Sequence, residues 1–526
     1  MNQLRELERT VAQGLRVLRK EQGLIEGVVY SSSNRRSVGR LVYTSHIPCN
    51  GLEEPKSDED VGICVELWFR KGRTKLIGYG QEPNELSVAA IRRAIAKARR
   101  DAVEDKDFVG FLKPKQFPRK NRRQAASGDP RLLSLDEKGE AELLARLSWE
   151  TIAGAVERIG DYARETRQSA KQIAFILNGD HFIIRERMAM ATTNGISDSE
   201  ETTVCLSSLT AMLEKANAKG SAWAARNSLV GFSAYDIGRQ AASSAIDGVG
   251  GVRVPGGVYP VIFGPQAVAE LFGSLLLPHL TLGMVEFGAS MYQGRYGKRI
   301  ASPLLTLCDD ATLPDGPGSK RITCEGFPTK RTLLIDKGKL TGFLSDSRTT
   351  NKVLVRRKES TGKLGIDPYR IRRAISPGNG FRFSRGGGRV AGAGVGIHAT
   401  NLIVDTPKPL SEKRLLNGVK NGIYIGRLWY TYPVGGYASG IISGTAIADC
   451  YRIRNGKLAE PIVPNSLRLE DHLGQMMSRI TGIGDTRVPT ILWASDEITH
   501  APWVAVKDVN FLAINETSTP KTPPTH

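Results

Sequence analysis

Apolar positions in the first 23 residues recur at helical spacing. Leu4, Leu7, Val11, Leu15 and Leu18 form one stripe, and Gly23 follows as a stop. The period changes in VGICVELWFRKGRTKLIGYG, residues 61–80, where Ile63, Val65, Leu67 and Phe69 share one face. This predicts a strand, a turn at Lys71-Gly72 and a returning strand. Helical spacing resumes in NELSVAAIRRAIAKARRDAVED, with Val88, Ile91, Ile95 and Ala98 on one stripe.

A second block opens with a long helix around residues 137–167, whose apolar positions include Leu143, Leu144, Leu147, Ile152 and Val156. KQIAFILNG, DHFIIRERMAMATTNG, TTVCLSSLTAML and SAWAARNS follow; their alternation and Asn-Gly pairs predict an antiparallel meander of short strands. FSAYDIGRQAASSAIDG reads as a helix with Ser233 as N-cap, Asp236 at N3, and Phe232 and Ile237 as a hydrophobic staple. From GGVYPVIFG onward the chain is rich in strand patterns and glycine. Two hairpins there, LLIDKGKLTGFL (333–344) and YRIRNGKLAEPI (451–462), put Lys-Gly and Asn-Gly where a turn needs positive φ.

These patterns predict an α+β fold. Two N-terminal α/β subdomains of antiparallel sheets with helices, residues 1–112 and 135–250, flank a basic linker, 113–134. A large strand-rich, Gly-rich C-terminal domain, 251–515, and a polar, Pro-rich disordered tail, 516–526, complete the chain.

The most apolar stretch, AVAELFGSLLLPHLTLGM (267–284), also holds Glu270 and His279. Nine positions at about 100° each put the two on opposite faces of a helix, and Pro278 breaks the helix before His279. No histidine in the chain is followed by glutamate, so no H-E-x-x-H-type motif exists. The stretch reads as a buried helix, with Glu270 and His279 at its terminus and cap.

The 526 residues, 40% hydrophobic and 24% charged, fit two or three globular domains. No run of about 18 apolar residues predicts a membrane span, and the N-terminus lacks a signal-peptide core. Six scattered cysteines without a C-x-x-C pair fit free thiols in a reducing cytoplasm. The net charge of +19 is uneven: between Lys352 and Arg389 eleven Lys or Arg face two acids, Glu359 and Asp367. A second cluster runs from Lys113 to Arg123. Both read as exposed loops, either plain solvated surface or docking sites for an acidic partner or nucleic acid. The chain has no recognised nucleic-acid motif and few aromatics among the charges, so nucleic acid is not the expected partner.

Other motifs are isolated. GGGRVA (386–391) has no βαβ context, Ser360-x-x-Lys363 lacks companion motifs, and His46-x-x-Cys49 offers one pair of ligands. Cys308, Asp309, Asp310, Cys324 and Glu325 flank one loop. They either converge as metal ligands, with Cys308, Asp309, Cys324 and Glu325 as the set, or serve strand ends and turns.

GVYPVIFGP, GKRIASPLLTLCDD, CEGFPTKRTLLIDKGKLTGFLSDSRTT, STG (360–362) and GIYIGRLWYTYPVGGYASGIISGTAIADCYRIRNGKLAEPI resemble the TldD/PmbA family, in which PmbA is also called TldE. The resemblance extends upstream through AIRRAIAKARRDAVEDKDFVGF and YDIGRQAASSAIDG, covering nearly all of residues 20–515. It implies a three-part chain. TldD-type subunits of this family are zinc metallopeptidases that pair with PmbA-type subunits. Each pair encloses a cavity and cleaves unfolded peptides, including leader segments of peptide natural products.

The family's TldD-type H-E-x-x-x-H motif would fall roughly at Gly273–Pro278, where this chain has neither the histidines nor the adjacent glutamate. The family's third zinc ligand, a cysteine near the C-terminus, is absent from GIGDTRVPTILWASDEITHAPW, and Cys324 replaces one acid before Glu325-Gly326. The resemblance therefore implies a PmbA/TldE-like pseudoenzyme with no cofactor of its own, in a heterodimer with a zinc-bearing TldD-type metallopeptidase. Its C-terminal domain would carry the interface, and an unfolded peptide would add to a sheet edge. Residues 352–395 match the family poorly; there Arg356, Arg357, Arg370, Arg372 and Arg373 are expected to attract an acidic peptide or partner. The alternatives are a self-sufficient peptidase with an unrecognised site, such as the 308–325 loop, and a peptide- or nucleic-acid-binding protein without a peptidase partner.

Overall fold

The structure, a computed structural model, describes residues 3–47, 51–111, 113, 128–493 and 495–514. Most of the basic cluster at 113–123, Cys49 and the C-terminal tail lie outside the described residues.

The fold is α+β. Helix α1 (Gln3–Leu18) and strands β1 (Leu24–Thr44), β2 (Lys56–Lys71) and β3 (Thr74–Pro83) lead into α2 (Val88–Arg100). A short turn α3 (Pro130–Leu133) and α4 (Glu137–Glu165) precede β4 (Phe175–Thr192), β5 (Ser197–Leu213), β6 (Ala218–Arg226) and α5 (Ala234–Asp247). The six strands form one antiparallel sheet in the order β3-β2-β1-β4-β5-β6. Strands from 1–112 and from 135–250 therefore lie edge to edge, joined along β1 and β4 from Val28↔Thr192 to Thr44↔Ile176.

Both faces of this sheet are buried, and the two-residue period assigns each face its cover. Val29, Ile63, Val65 and Leu67 face α1 and α2, while Leu41, Leu177 and Leu209 face α4 and α5. On the opposite face, Val28, Tyr30, Met188 and Met190 meet Ile322, Cys324, Phe381 and Phe383 of the C-terminal domain. Helix α2 sits directly on strand backbone. A Cβ on Gly78 would lie 1.8 Å from the Ala98 carbonyl oxygen, and one on Gly80 would lie 2.0 Å from that of Ala94.

The expected meander of short strands needs correction. Asn178-Gly179 makes no turn: β4 runs through it for 18 residues, and Gly179 pairs with Leu41 on one side and Leu209 on the other. Ladder hydrogen bonds on both sides keep the chain extended there. Asn194-Gly195 does turn, with Gly195 at φ 89°.

His181 of β4 is enclosed between α4 and β5, bonded to the Thr151 hydroxyl at 3.1 Å and to Ser207. Burial pulls it from 6.5 down to about 4. The unfolded chain therefore binds this proton first as pH falls. Stability is fully present above about pH 6.5 and is lost progressively toward pH 4, by roughly 3 kcal/mol for this ring. Urea unfolding at pH 7, 5.5 and 4 should show that loss, with a shallower decline in His181→Gln; an identical decline would mean His181 is not the group titrating.

In the C-terminal domain, Gly257–Phe263, Gly422–Pro433, Ile441–Arg454, Leu467–His472 and Val504–Ala513 close a five-stranded barrel. Beside it stands a mixed sheet in the order Lys339–Leu340, Arg331–Asp336, Thr306–Asp310, Asn401–Asp405, Ile498–Ala501, Val488–Ile491. Both hairpins anticipated from the sequence form, with Lys337 and Gly338 at φ 46° and 79° and Asn455 and Gly456 at 51° and 71°.

The basic segment is not an exposed loop. Ser347–Val355 and Arg357–Leu364 are helices, and Pro368–Ile371 is a 3-10 turn. Residues 380–391 then pass between the N-terminal sheet and the mixed sheet, where Arg382 and Arg389 are 1% and 0% exposed. Arg389 pairs with Glu186 and Glu200, and Arg382 with Glu66. These carboxylates lie far upstream, so charge counting along one segment could not locate them.

Candidate functional site

The apolar stretch is buried, but it is not one regular helix. Pro265–Ala269 is α-helical, Glu270–Leu276 π-helical, Leu277–Leu280 a 3-10 turn, and Leu282–Glu286 α-helical again. Leu271, Phe272, Leu275 and Leu276 anchor it in the main core. A π turn aligns positions five apart and recurs at functional sites. Five is also the spacing between the two histidines of an H-E-x-x-x-H motif. Of the pair at that spacing, Gly273 lies in the π turn and Pro278 in the 3-10 turn that follows it.

Glu270 and His279 have separate partners. The Glu270 carboxylate accepts from Gln266 Nε2 at 3.1 Å and Thr431 Oγ1 at 2.5 Å, and burial raises it above the usual carboxylate range. His279 Nδ1 accepts from the Met291 amide at 3.2 Å, and its ring meets Tyr292 and Tyr437 edge to face. Burial, then His472, holds it at about 4, so it is neutral at pH 7.

The four candidate metal ligands do not come together. Cys308 takes a bond from Arg331 Nε at 3.3 Å, and Asp309 accepts from the Thr400 amide at 2.7 Å and Asn379 Nδ2 at 2.6 Å, within the mixed sheet. Burial raises Asp309 to about 6. Cys324 accepts from the Arg382 amide at 3.3 Å and Glu325 from the Ser347 amide at 3.0 Å, on the wall of a cavity of about 340 Å³ facing the N-terminal sheet. Among the described residues no three His, Cys, Asp or Glu side chains are grouped to hold a metal.

Arg356 in the turn between the two helices, Arg357 on the second helix, Arg370 in the 3-10 turn, and Arg372 and Arg373 after it are all exposed. Arg356 reaches Asp107 at 2.9 Å, and Arg357 holds Asp367 at 3.0 Å. The Arg357 and Arg372 guanidiniums stack over Tyr369 at 4.9 and 4.3 Å. Part of the positive charge is thus neutralised locally. Sequence reasoning missed Glu66, Asp346 and Arg382, which share the cavity with Cys324 and Glu325. They come from segments with no common motif.

Residues 256–512 match the PmbA/TldA metallopeptidase C-terminal domain. A metalloprotease of Methanothermobacter thermautotrophicus is 26% identical over 251 residues, 47% of this chain and 48% of that protein. A metalloprotease TldD homolog of Haemophilus influenzae is 30% identical over 108 residues, 20% of this chain and 22% of that protein. These matches span about half the length of the curated relatives, or less. In fold, TldE of Thermococcus kodakarensis superposes with a TM-score of 0.72 over 96% of this chain and 100% of its own, at 17% identity. Residues 256–512, just under half of the chain, thus match the C-terminal domain of the TldD/PmbA family, and the whole chain shares the fold of TldE.

Proposed function

We propose that the chain is a non-catalytic PmbA/TldE-like subunit of a TldD/PmbA-type peptidase that processes or degrades unfolded peptides, leader peptides of natural products among them. The observation that carries this reading is the π turn. Leu271 to Leu276 of this turn and Leu277-Pro278 after it, where the peptidase motif would fall, contain neither histidine nor carboxylate. No cysteine follows Cys450. The residues at this turn do not fit zinc, and on this reading zinc belongs to the TldD-type partner.

The barrel supports an interface in the C-terminal domain. At its longest hairpin Tyr430, Tyr432, Val434 and Ile441 are exposed together, an aromatic and apolar patch of the kind that interfaces favour. The exposed arginines beside Tyr369 would speed the approach of acidic peptides, an effect that salt screens. The five described cysteines are free and buried, in keeping with a reducing cytoplasm, and among the described residues no helix is long and apolar enough to cross a membrane. Sedimentation of the chain mixed with a TldD-type chain carrying the full motif tests the pairing. A heterodimer burying more than about 1,000 Å² is expected; two separate monomers at micromolar concentration would remove the reading's support.

A further inference from the structure

The cavity beside Cys324 and Glu325 lies between the N-terminal sheet and the C-terminal domain. Its volume of about 340 Å³ suits a small ligand or a single side chain. One side is apolar: Val28 of β1, Ile77 of β3, Phe108, Phe111 and Val395. Phe108 packs edge to face on Trp68 and Phe111, at 5.3 and 5.0 Å. The other side is polar, and its cations already have partners. Arg382 donates to the Ala393 carbonyl and to Glu66, and Arg348 to Asp105 at 2.7 Å. Asp101 is held by Arg100 at 2.8 Å.

Among the described residues, two carboxyls of this cavity have no cation paired to them. Asp346, 7% exposed, caps the helix Ser347–Val355 through Oδ1, which accepts from the Thr349 amide at 2.7 Å. Among the described residues nothing donates to its Oδ2. Glu325 accepts from the Ser347 amide at 3.1 and 3.0 Å and from the Ser347 hydroxyl. Both carboxyls line the same cavity. Two acids and an apolar wall are complementary to a positive head on an apolar body, and an anion would meet only carboxylates and cations already paired.

We propose that this cavity binds an organic monocation, an ammonium or guanidinium seated between Glu325 and Asp346, with its apolar part against Phe108 and Phe111. Burial first, and then Asp346, raise Glu325 above the usual carboxylate range, with Glu66 adding to the effect. Arg382, paired to Glu66, and Cys324, Tyr79, Asp101 and Arg348 are the other titratable groups of the described lining. Glu325 therefore keeps its proton further up the pH scale than an ordinary carboxyl, and an entering cation displaces that proton to solvent. Affinity therefore rises with pH while Glu325 is protonated and levels off above that range. The site is complete within this chain and depends on neither a partner nor a peptidase activity.

Isothermal titration of the purified chain with phenethylamine tests this, with acetyl-Phe-Lys amide as the peptide form of the same chemistry and 2-phenylethanol as the neutral isostere. Both cations should bind roughly tenfold or more tighter at pH 8.5 than at pH 6. Proton release should show as a buffer-dependent heat, and the alcohol should not bind. Whichever cation binds more tightly identifies the source, free amine or peptide side chain. Glu325→Gln should abolish the proton release. Asp346→Asn, which keeps a good N-cap, should weaken both cations at least tenfold while melting near wild type. Equal binding of the alcohol, no heat from either cation at millimolar concentration, or unchanged proton release in Glu325→Gln would overturn the proposal.

Discussion

Arg389→Ala should lower the unfolding free energy by about 3–5 kcal/mol, because it strips the cation from a buried cluster. Arg389 is fully buried. Its Nε donates to Glu186 at 2.7 Å, and its Nη1 to Glu200 at 2.8 Å and to the Ile322 carbonyl at 2.9 Å. Burial alone would push Glu186 up, but Arg389 and then Lys320 beside it hold it at about 2. Without the guanidinium, Glu186 and Glu200 are buried carboxylates with Lys320 3.2 Å from Glu186 and Arg321, whose amide donates to Glu200 at 2.6 Å, as neighbouring cations. They would then bind protons more readily folded than unfolded, so the defect should be largest at neutral pH and shrink on acidification. Urea unfolding at pH 7 and pH 5 measures both effects. A loss below about 1 kcal/mol at pH 7 is what a solvated surface pair would give, and would contradict the packing of residues 380–391 between the sheets.

Gly80→Val should cost about 3 kcal/mol or more. The added Cβ would stand 2.0 Å from the Ala94 carbonyl oxygen and 2.7 Å from the Ala98 amide nitrogen, which is backbone and cannot rotate away. Helix α2 would have to lift from β3, drawing Ile91 and Ile95 out of the core they share with Val65 and Leu67. Gly362→Ala is the matched control. It lies in the helix Arg357–Leu364 with nothing within 4 Å of an added Cβ, so it should be neutral or stabilise by up to about 1 kcal/mol. Thermal unfolding of the two variants separates the cases; similar melting temperatures would mean the α2–β3 contact is looser than described.

What was legible in the sequence is what local chemistry decides. The stripe Leu7, Val11, Leu18 buries α1, and the Ser233 hydroxyl accepts from the Asp236 amide at 3.2 Å as an N-cap should. The Lys-Gly and Asn-Gly hairpins turn where positive φ was needed. What was not legible depends on partners distant in sequence. Leu41 pairs with Gly179 across the two N-terminal blocks, so Asn178-Gly179 looks like a turn until its two neighbouring strands are known. Arg389 looks like surface charge until Glu186 and Glu200 are placed against it. Glu325 drew notice as a metal ligand, but Asp346 and Arg382, which define its surroundings, are not marked by any spacing. The π turn leaves no periodic signature in a stretch apolar on every side.

The most direct test of the central claim is the metal content and peptidase activity of the purified chain, alone and with a TldD-type chain bearing H-E-x-x-x-H. Alone, after zinc loading and dialysis, it should hold no stoichiometric zinc and cleave no unfolded peptide. Mixed, cleavage should appear and be lost with a chelator. About one zinc per chain, with chelator-sensitive cleavage by this chain alone, would contradict the account.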